Sequence, residues 1–273
     1  GQPTKAAEGF ARSRGVDVSA LKVEEIDGGQ YVTALVREAG RPAVEVLAEA
    51  LPKLIADIKF GKAMRWNASS VAFSRPLRWL TAVLGGQVIP FAYAGAASRA
   101  VTLGLRPYGS PELPVQNLQD YLDTLKTQGI ILNGETRRET IREQIHALAA
   151  EVGGRIPDDP GLLDEVTNLV ERPTALRGTF DPSYLELPRE VLVTVMRKHQ
   201  RYFPIEDAAG KLLPYFIAVR NGDAEHLDMV TDGNEHVLRA RFSDAAFFYK
   251  EDIQKPLRDY LPRLATLTFQ EKL

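Results

Sequence analysis

A chain of 273 residues, 44% hydrophobic and 26% charged, has the composition of a folded globular protein and is long enough for one large domain or two moderate ones. A formal charge of −2 excludes a surface coated in positive potential, the lack of cysteine excludes disulfides and thiolate zinc sites, and His146, His199, His226 and His236 are too scattered for a local metal motif, so no structural metal is expected. No uninterrupted apolar stretch is long enough to cross a bilayer and the first residues lack the basic-then-apolar order of a secretory signal, so no membrane partner and a cytoplasmic setting are expected.

Thr4 to Arg14 reads as a short helix, with Pro3 suited to a first turn and Gly15 to the left-handed position past its end. Val23 to Ile26 and Tyr31 to Val36 are strand-like around Asp27-Gly28-Gly29, the pattern of a hairpin. Val44, Leu47, Leu51, Leu54, Ile55 and Ile58 recur at helical spacing, and Pro52 is expected to kink or divide that helix. A helix from Pro76 to Leu84, a strand from Val88 to Tyr93 and a Pro/Gly/Ser-rich connection from Pro107 to Pro114 follow. Leu118 to Leu125 and Arg137 to Val152 read as helices, with a short strand at Ile130 to Leu132 between them. Gly153-Gly154, followed at once by Pro157-Asp158-Asp159-Pro160, marks the best internal boundary, giving either one composite domain or two lobes, 1–154 and 155–273.

Beyond it, Gly161 to Val170 reads as a helix, Thr174 to Leu176 as a short strand and Pro188 to His199 as a helix. Tyr202 to Ile205 and Leu212 to Val219 can pair as strands. Asn234 suits a helix cap, with Glu235 favoured at the positive end of the helix dipole. Leu238, Phe242, Ala245 and Tyr249 then form one apolar stripe, Arg241 and Asp244 are set to pair beside it, and Pro256 opens a final helix towards Leu264. Helices and strands are intermixed, so the fold class is α+β.

The charge is unevenly spread. Between Ile58 and Pro111 there is no Asp or Glu, where about seven of the chain's 36 acids would fall by proportion. The same stretch carries Lys59, Lys62, Arg65, Arg75, Arg78, Arg99 and Arg106. Two readings stand: a basic patch that holds a polyanion, or cations neutralised by acids on neighbouring elements. Lys62 to Trp79 also interleaves basic and aromatic residues, which suits arginine forks on phosphate and Trp stacked on a base, and equally suits core aromatics with arginines packed over them. Arg197, Lys198 and Arg201 crowd a helix end, where the dipole alone accounts for cations and phosphate is the sharper option. His199 has no Ser, Cys or carboxylate placed by sequence to complete a relay, and a backbone-held imidazole is the simpler reading. Neither a GxxxxGK[ST] loop nor a GxGxxG turn is present, and no catalytic residue is expected.

The wording of whole blocks carries further information: PTKAAEGFARSRGV (Pro3 to Val16), KAMRWNASSVAFSRPLRWL (Lys62 to Leu80), LLDEVTNLVERPTALRGTF (Leu162 to Phe180), LPREVLVTVMRKHQRYFPIEDAAGKLLPYFIAVRNG (Leu187 to Gly222) and GNEHVLRARFSDAAFFYKED (Gly233 to Asp252). In this order they resemble the beta subunit of the bacterial heterotetrameric glycyl-tRNA synthetase. The resemblance implies a fold similar to the editing-type domain of the phenylalanyl-tRNA synthetase beta subunit. It implies two partners, a catalytic alpha subunit in an alpha2beta2 heterotetramer and tRNA for glycine. ATP with Mg would be used by the alpha subunit, and no cofactor is expected in this fragment, which is read as an N-terminal one that stops inside a family block at Phe269 to Leu273. The chain departs from the family's pattern at Asn67, where Gly is usual, and at Leu105, where His is usual. The tRNA-binding candidates are Lys62, Arg65, Arg75 and Arg78, then Arg197, Lys198 and Arg201. Hydrolytic editing of mischarged tRNA is the alternative, weakened because glycine is the smallest substrate and larger amino acids can be excluded sterically.

Overall fold

The computed structural model describes residues 3–37 and 39–266, and the block at Phe269 to Leu273 lies outside them. Backbone contacts gather into two units, Gly1–Leu84 with Val88–Arg99, and Gly85–Gln87 with Ala100–Leu273.

In the first unit, α1 (Lys5–Arg14) starts on Thr4, whose Oγ1 accepts from the Ala7 N–H, and ends on Gly15 at φ 68, whose N–H reaches the carbonyls of Ala11 and Arg12. β1 (Leu21–Ile26) and β2 (Gly29–Ala34) pair antiparallel around Asp27-Gly28, both at positive φ (54 and 79), the twist-matched two-residue hairpin turn. α2 (Ala43–Asp57) runs undivided through Pro52, because proline removes one donor while the helical bonds on either side persist.

The helix expected from Pro76 to Leu84 does not form. Instead β3 (Leu80–Thr81) pairs in parallel with Ser98 and Arg99, and β4 (Val83–Leu84) follows, so pairing with a distant strand overrides local spacing. The strand expected from Val88 to Tyr93 is interrupted at Pro90, which has no N–H to give a ladder, leaving β5 (Gln87–Val88) and β6 (Ala92–Tyr93). β6 turns through Ala94-Gly95 into β7 (Ala96–Arg99). Among the described residues of this unit only Ala11, Ile89 and Ala94 are buried hydrophobics.

The second unit opens with β8 (Val101–Leu103) against β9 (Glu112–Pro114), then α3 (Leu118–Thr127), α4 (Gly134–Ala150) and α5 (Pro160–Leu169). Its centre is a three-stranded antiparallel sheet of β10 (Pro173–Thr179), β12 (Leu212–Asn221) and β11 (Phe203–Glu206), with β12 in the middle. α6 (Arg189–Thr194) continues into a π-helical turn, Val195–Gln200, before β11, and α7 (Leu227–Asp252) follows β12. Strand residues alternate between two cores. Phe203, Ile205 and Ile217 face α4 and α5 with Ile141, Ile145 and Leu162, while Leu176, Phe216 and Ala218 face α6 and α7 with Leu192, Met196, Leu238 and Phe242. The unit is a helix, sheet, helix sandwich.

Four expectations in this unit are corrected. Ile130 to Leu132 is not a strand: the Ile131 N–H bonds the Glu171 carbonyl at 2.9 Å, and the Ile131 carbonyl accepts from the Arg137 guanidinium, so no ladder continues. Gly153-Gly154 is not a boundary. A Cβ on Gly154 would collide with Ile205, Arg155 exchanges two backbone hydrogen bonds with Glu206, and α4 and α5 fill one core from either side of the turn. Asn234 does not cap a helix, because α7 begins at Leu227 and Asn234 sits two turns inside it. Arg241 and Asp244 form no ion pair with each other.

Candidate nucleic-acid interface

Lys62, Arg65, Arg75 and Arg78 lie in the irregular stretch between α2 and β3, closed by one antiparallel bridge in which Met64 and Phe73 exchange backbone bonds of 2.8 and 3.1 Å. That bridge makes 65–72 a loop, with Arg65 just inside its neck and Lys62 and Arg75 two residues outside it on either limb. Asn67 holds the loop in place: its Oδ1 accepts from the Ser69 N–H and hydroxyl, and its Nδ2 donates to the Ala94 carbonyl at 2.7 Å. A glycine at 67 would have none of these side-chain bonds.

All four cations are exposed. Arg65 donates from Nε to the Ser70 carbonyl at 3.0 Å, and Arg75 donates to the Ser74 carbonyl at 3.0 Å, both neutral partners. Among the described residues of this unit, no carboxylate makes an ion pair with any of the four. For these four cations, neutralisation by neighbouring acids is therefore not what this unit shows. The aromatics are divided. Phe73 is half-buried with its ring edge-on to Phe60 at 4.5 Å, Trp66 is half-buried, and Trp79 is 43% exposed, enough face to stack on a base.

The second cluster, in the other unit, has a different electrostatic state. Arg197 grips both oxygens of Asp159, which also caps α5 by accepting from the Leu162 N–H at 2.9 Å. The Arg197 guanidinium holds the Asp159 carboxyl below the usual carboxylate range. Arg201 donates to Glu165 Oε1 at 2.8 Å and to the Lys198 carbonyl at 3.2 Å, while Lys198 is exposed without an ion pair among the described residues. Two of the three cations predicted to meet phosphate are thus already matched by carboxylates 36 and 38 residues away in sequence. His199 is exposed, and its recorded contact is its backbone carbonyl accepting from Arg201.

The cluster is set by the π turn, whose wider loop brings Arg197 to α5 while Met196 stays fully buried. The turn ends on Arg201 at φ 58, a left-handed conformation uncommon for a residue other than glycine. Leu105 is completely buried, an apolar environment that suits leucine. Sequence reasoning missed the partnership of Tyr202 and Asn234. The Tyr202 hydroxyl donates to Asn234 Oδ1 at 2.5 Å, and burial pushes the phenol up to about 12, so it stays protonated and donates. Only the aromatic type of residue 202 next to a cationic turn could have hinted at it.

The family model described as glycyl-tRNA synthetase beta subunit matches residues 1–273, the whole chain. The glycine--tRNA ligase beta subunit of Moorella thermoacetica is 50% identical over all 273 residues, which make up 39% of that relative. Those of Geobacter sulfurreducens and Desulforudis audaxviator are 47% and 48% identical over the same length, in each case 40% of the relative. With the family model matching every residue and a relative 50% identical over the full length of the chain, the chain belongs to the glycyl-tRNA synthetase beta subunit family.

Proposed function

We infer that this chain is a tRNA-holding part of a glycine-tRNA ligase, an aminoacyl-tRNA synthetase, with no catalytic site of its own. It works beside an alpha subunit, in an alpha2beta2 assembly, that uses ATP with Mg to attach glycine. The observation that carries this is the set of four exposed cations, Lys62, Arg65, Arg75 and Arg78, on a stretch without acids, none of the four ion-paired among the described residues of its unit. Unmatched guanidinium and ammonium groups gain most from a phosphate, since no existing pair has to be given up, and their counterions are released on binding. Trp79 adds a stacking face next to Arg78. Arg197 and Arg201 would have to leave Asp159 and Glu165 to serve the same purpose, which places them behind the loop; Lys198 alone in that cluster is ready for phosphate. The α+β scaffold, which the family resemblance likens to an editing-type domain, serves in this reading to display the loop.

The test is Lys62→Ala, Arg65→Ala, Arg75→Ala and Arg78→Ala combined in the full-length subunit assembled with its alpha partner. Filter binding across a salt series should show tRNA affinity lowered and the slope of log affinity against log salt shallower by about three. Glycyl-adenylate formation should remain. Unchanged affinity and slope would remove the loop from tRNA binding; lost adenylate formation would assign it to shaping the alpha subunit instead.

A further inference from the structure

A cavity of about 370 Å³ opens between α5, the β10–β12 face, the π turn and the first turns of α7. That volume is within the range of small-ligand sites. Its lining is aliphatic at Val166, Leu176, Ala218 and Val230, and polar at Gln200, Arg201, Tyr202, Arg220 and Asn234. Asn234 is fixed twice over, accepting from the Tyr202 hydroxyl at 2.5 Å and donating to the Val230 carbonyl at 2.6 Å, which leaves one N–H of its carboxamide without a partner among the described residues. Gln200, the last residue of the π turn, lines the same space half-buried, and its carboxamide makes no hydrogen bond there. Two arginines stand on the wall, and both are occupied: Arg201 by Glu165 at 2.8 Å, and Arg220 by the Glu225 carbonyl at 2.5 Å and by Asp223 at 3.8 Å.

This combination selects against an anion, because both arginines are already paired, and against a plain hydrocarbon, because the Gln200 carboxamide and one Asn234 N–H would be left unsatisfied. It suits an uncharged ring with a donor beside an acceptor. A carboxamide offers the complementary pair and is the side chain that reads adenine with two parallel bonds, whereas guanine is read by arginine forks, which here are already engaged. A purine also covers more of the aliphatic lining than a pyrimidine. We propose that this cavity takes one unpaired adenine base of a bound RNA, read by the Gln200 carboxamide and the free N–H of Asn234 against the aliphatic lining. The proposal rests on the RNA-binding reading above and deepens it from phosphate contact to recognition of a single base.

The experiment is equilibrium dialysis of the full-length protein with labelled adenosine and labelled uridine. Neither nucleoside carries phosphate, so the result does not depend on the cationic loop and stands apart from the salt-series test. Saturable adenosine binding is expected, with uridine at least about tenfold weaker, the size of discrimination one paired edge provides. Gln200→Leu should weaken adenosine about tenfold, and Val230→Phe, which fills the cavity, should abolish binding. A short single-stranded RNA containing adenine should displace the nucleoside, and a strand of equal length without adenine should not. Equal binding of adenosine and uridine, a measurement on the unaltered protein that needs no variant, would overturn the proposal. So would adenosine binding unaffected by Val230→Phe, or equal displacement by the adenine-free strand.

Discussion

Tyr202 shows how much one side chain settles. Its ring stacks on Phe216 at 4.7 Å with a 20° interplanar angle, and its hydroxyl is the partner that turns Asn234 into a fixed fitting rather than a surface amide. Tyr202→Phe keeps the stack and deletes the bond, leaving a half-buried carbonyl oxygen without its donor. The expected cost is about 1–2 kcal/mol, read as a lower urea midpoint at unchanged slope. A midpoint equal to that of the parent would show that the bond contributes nothing. Asn234 was misread from sequence because asparagine after glycine is a common helix start, whereas His226, the residue before α7, belongs to no capping class. Glu235 does not answer a helix dipole but accepts from the Thr179 N–H and hydroxyl at 2.7 and 2.9 Å. The candidate cations themselves were legible as types. Which of them are free was not, since the acids that occupy Arg197 and Arg201 lie more than thirty residues away in sequence.

Elements with strong periodic signals or a clear turn form where expected, as does the short strand within β10, whereas the two-residue strands of the first unit are not legible. α1, α3, α4, α5 and the β11–β12 pair form where cap residues and apolar spacing place them. The two-residue strands of the first unit are set by pairing partners and proline positions that local spacing cannot reveal. β10 illustrates the tightness of the central sheet: Gly178 sits opposite Phe216, and a Cβ there would overlap the Phe216 ring, itself completely buried. Gly178→Ala should therefore cost about 1–3 kcal/mol through overpacking, even though alanine has the better backbone entropy, and a thermal melt should show the loss. A variant as stable as the parent would mean that the ring has room to move aside.

Across the whole molecule, hydrophobic burial is concentrated in the second unit. It holds both core clusters, while the first has three buried hydrophobic residues among those described. Opening free energy follows buried apolar contact, so backbone amides of β1 and β2 should exchange with deuterium well before those of β10 and β12. Equal protection in the two strand pairs would contradict that ordering. The unit limits were illegible because the glycine and proline cluster at 153–160, which looks like a linker, lies against Ile205, whereas the observed division near Arg99 has no punctuation in its composition.

The π turn between α6 and β11 has one more implication. A π turn encloses one residue more than an α turn, so losing any single position from Val195 to Gln200 would let the coil tighten to the ordinary pitch. Each α-helical residue advances the chain by 1.5 Å and about a hundred degrees, so everything on one side of the loss would swivel by that amount against the other. Either Leu192 and Met196 would rotate away from the sheet, or Gln200 and Arg201 would leave the cavity wall. Substitution is tolerable along this segment in a way that shortening is not, and the count of residues here is as much a determinant of the fold as their identity.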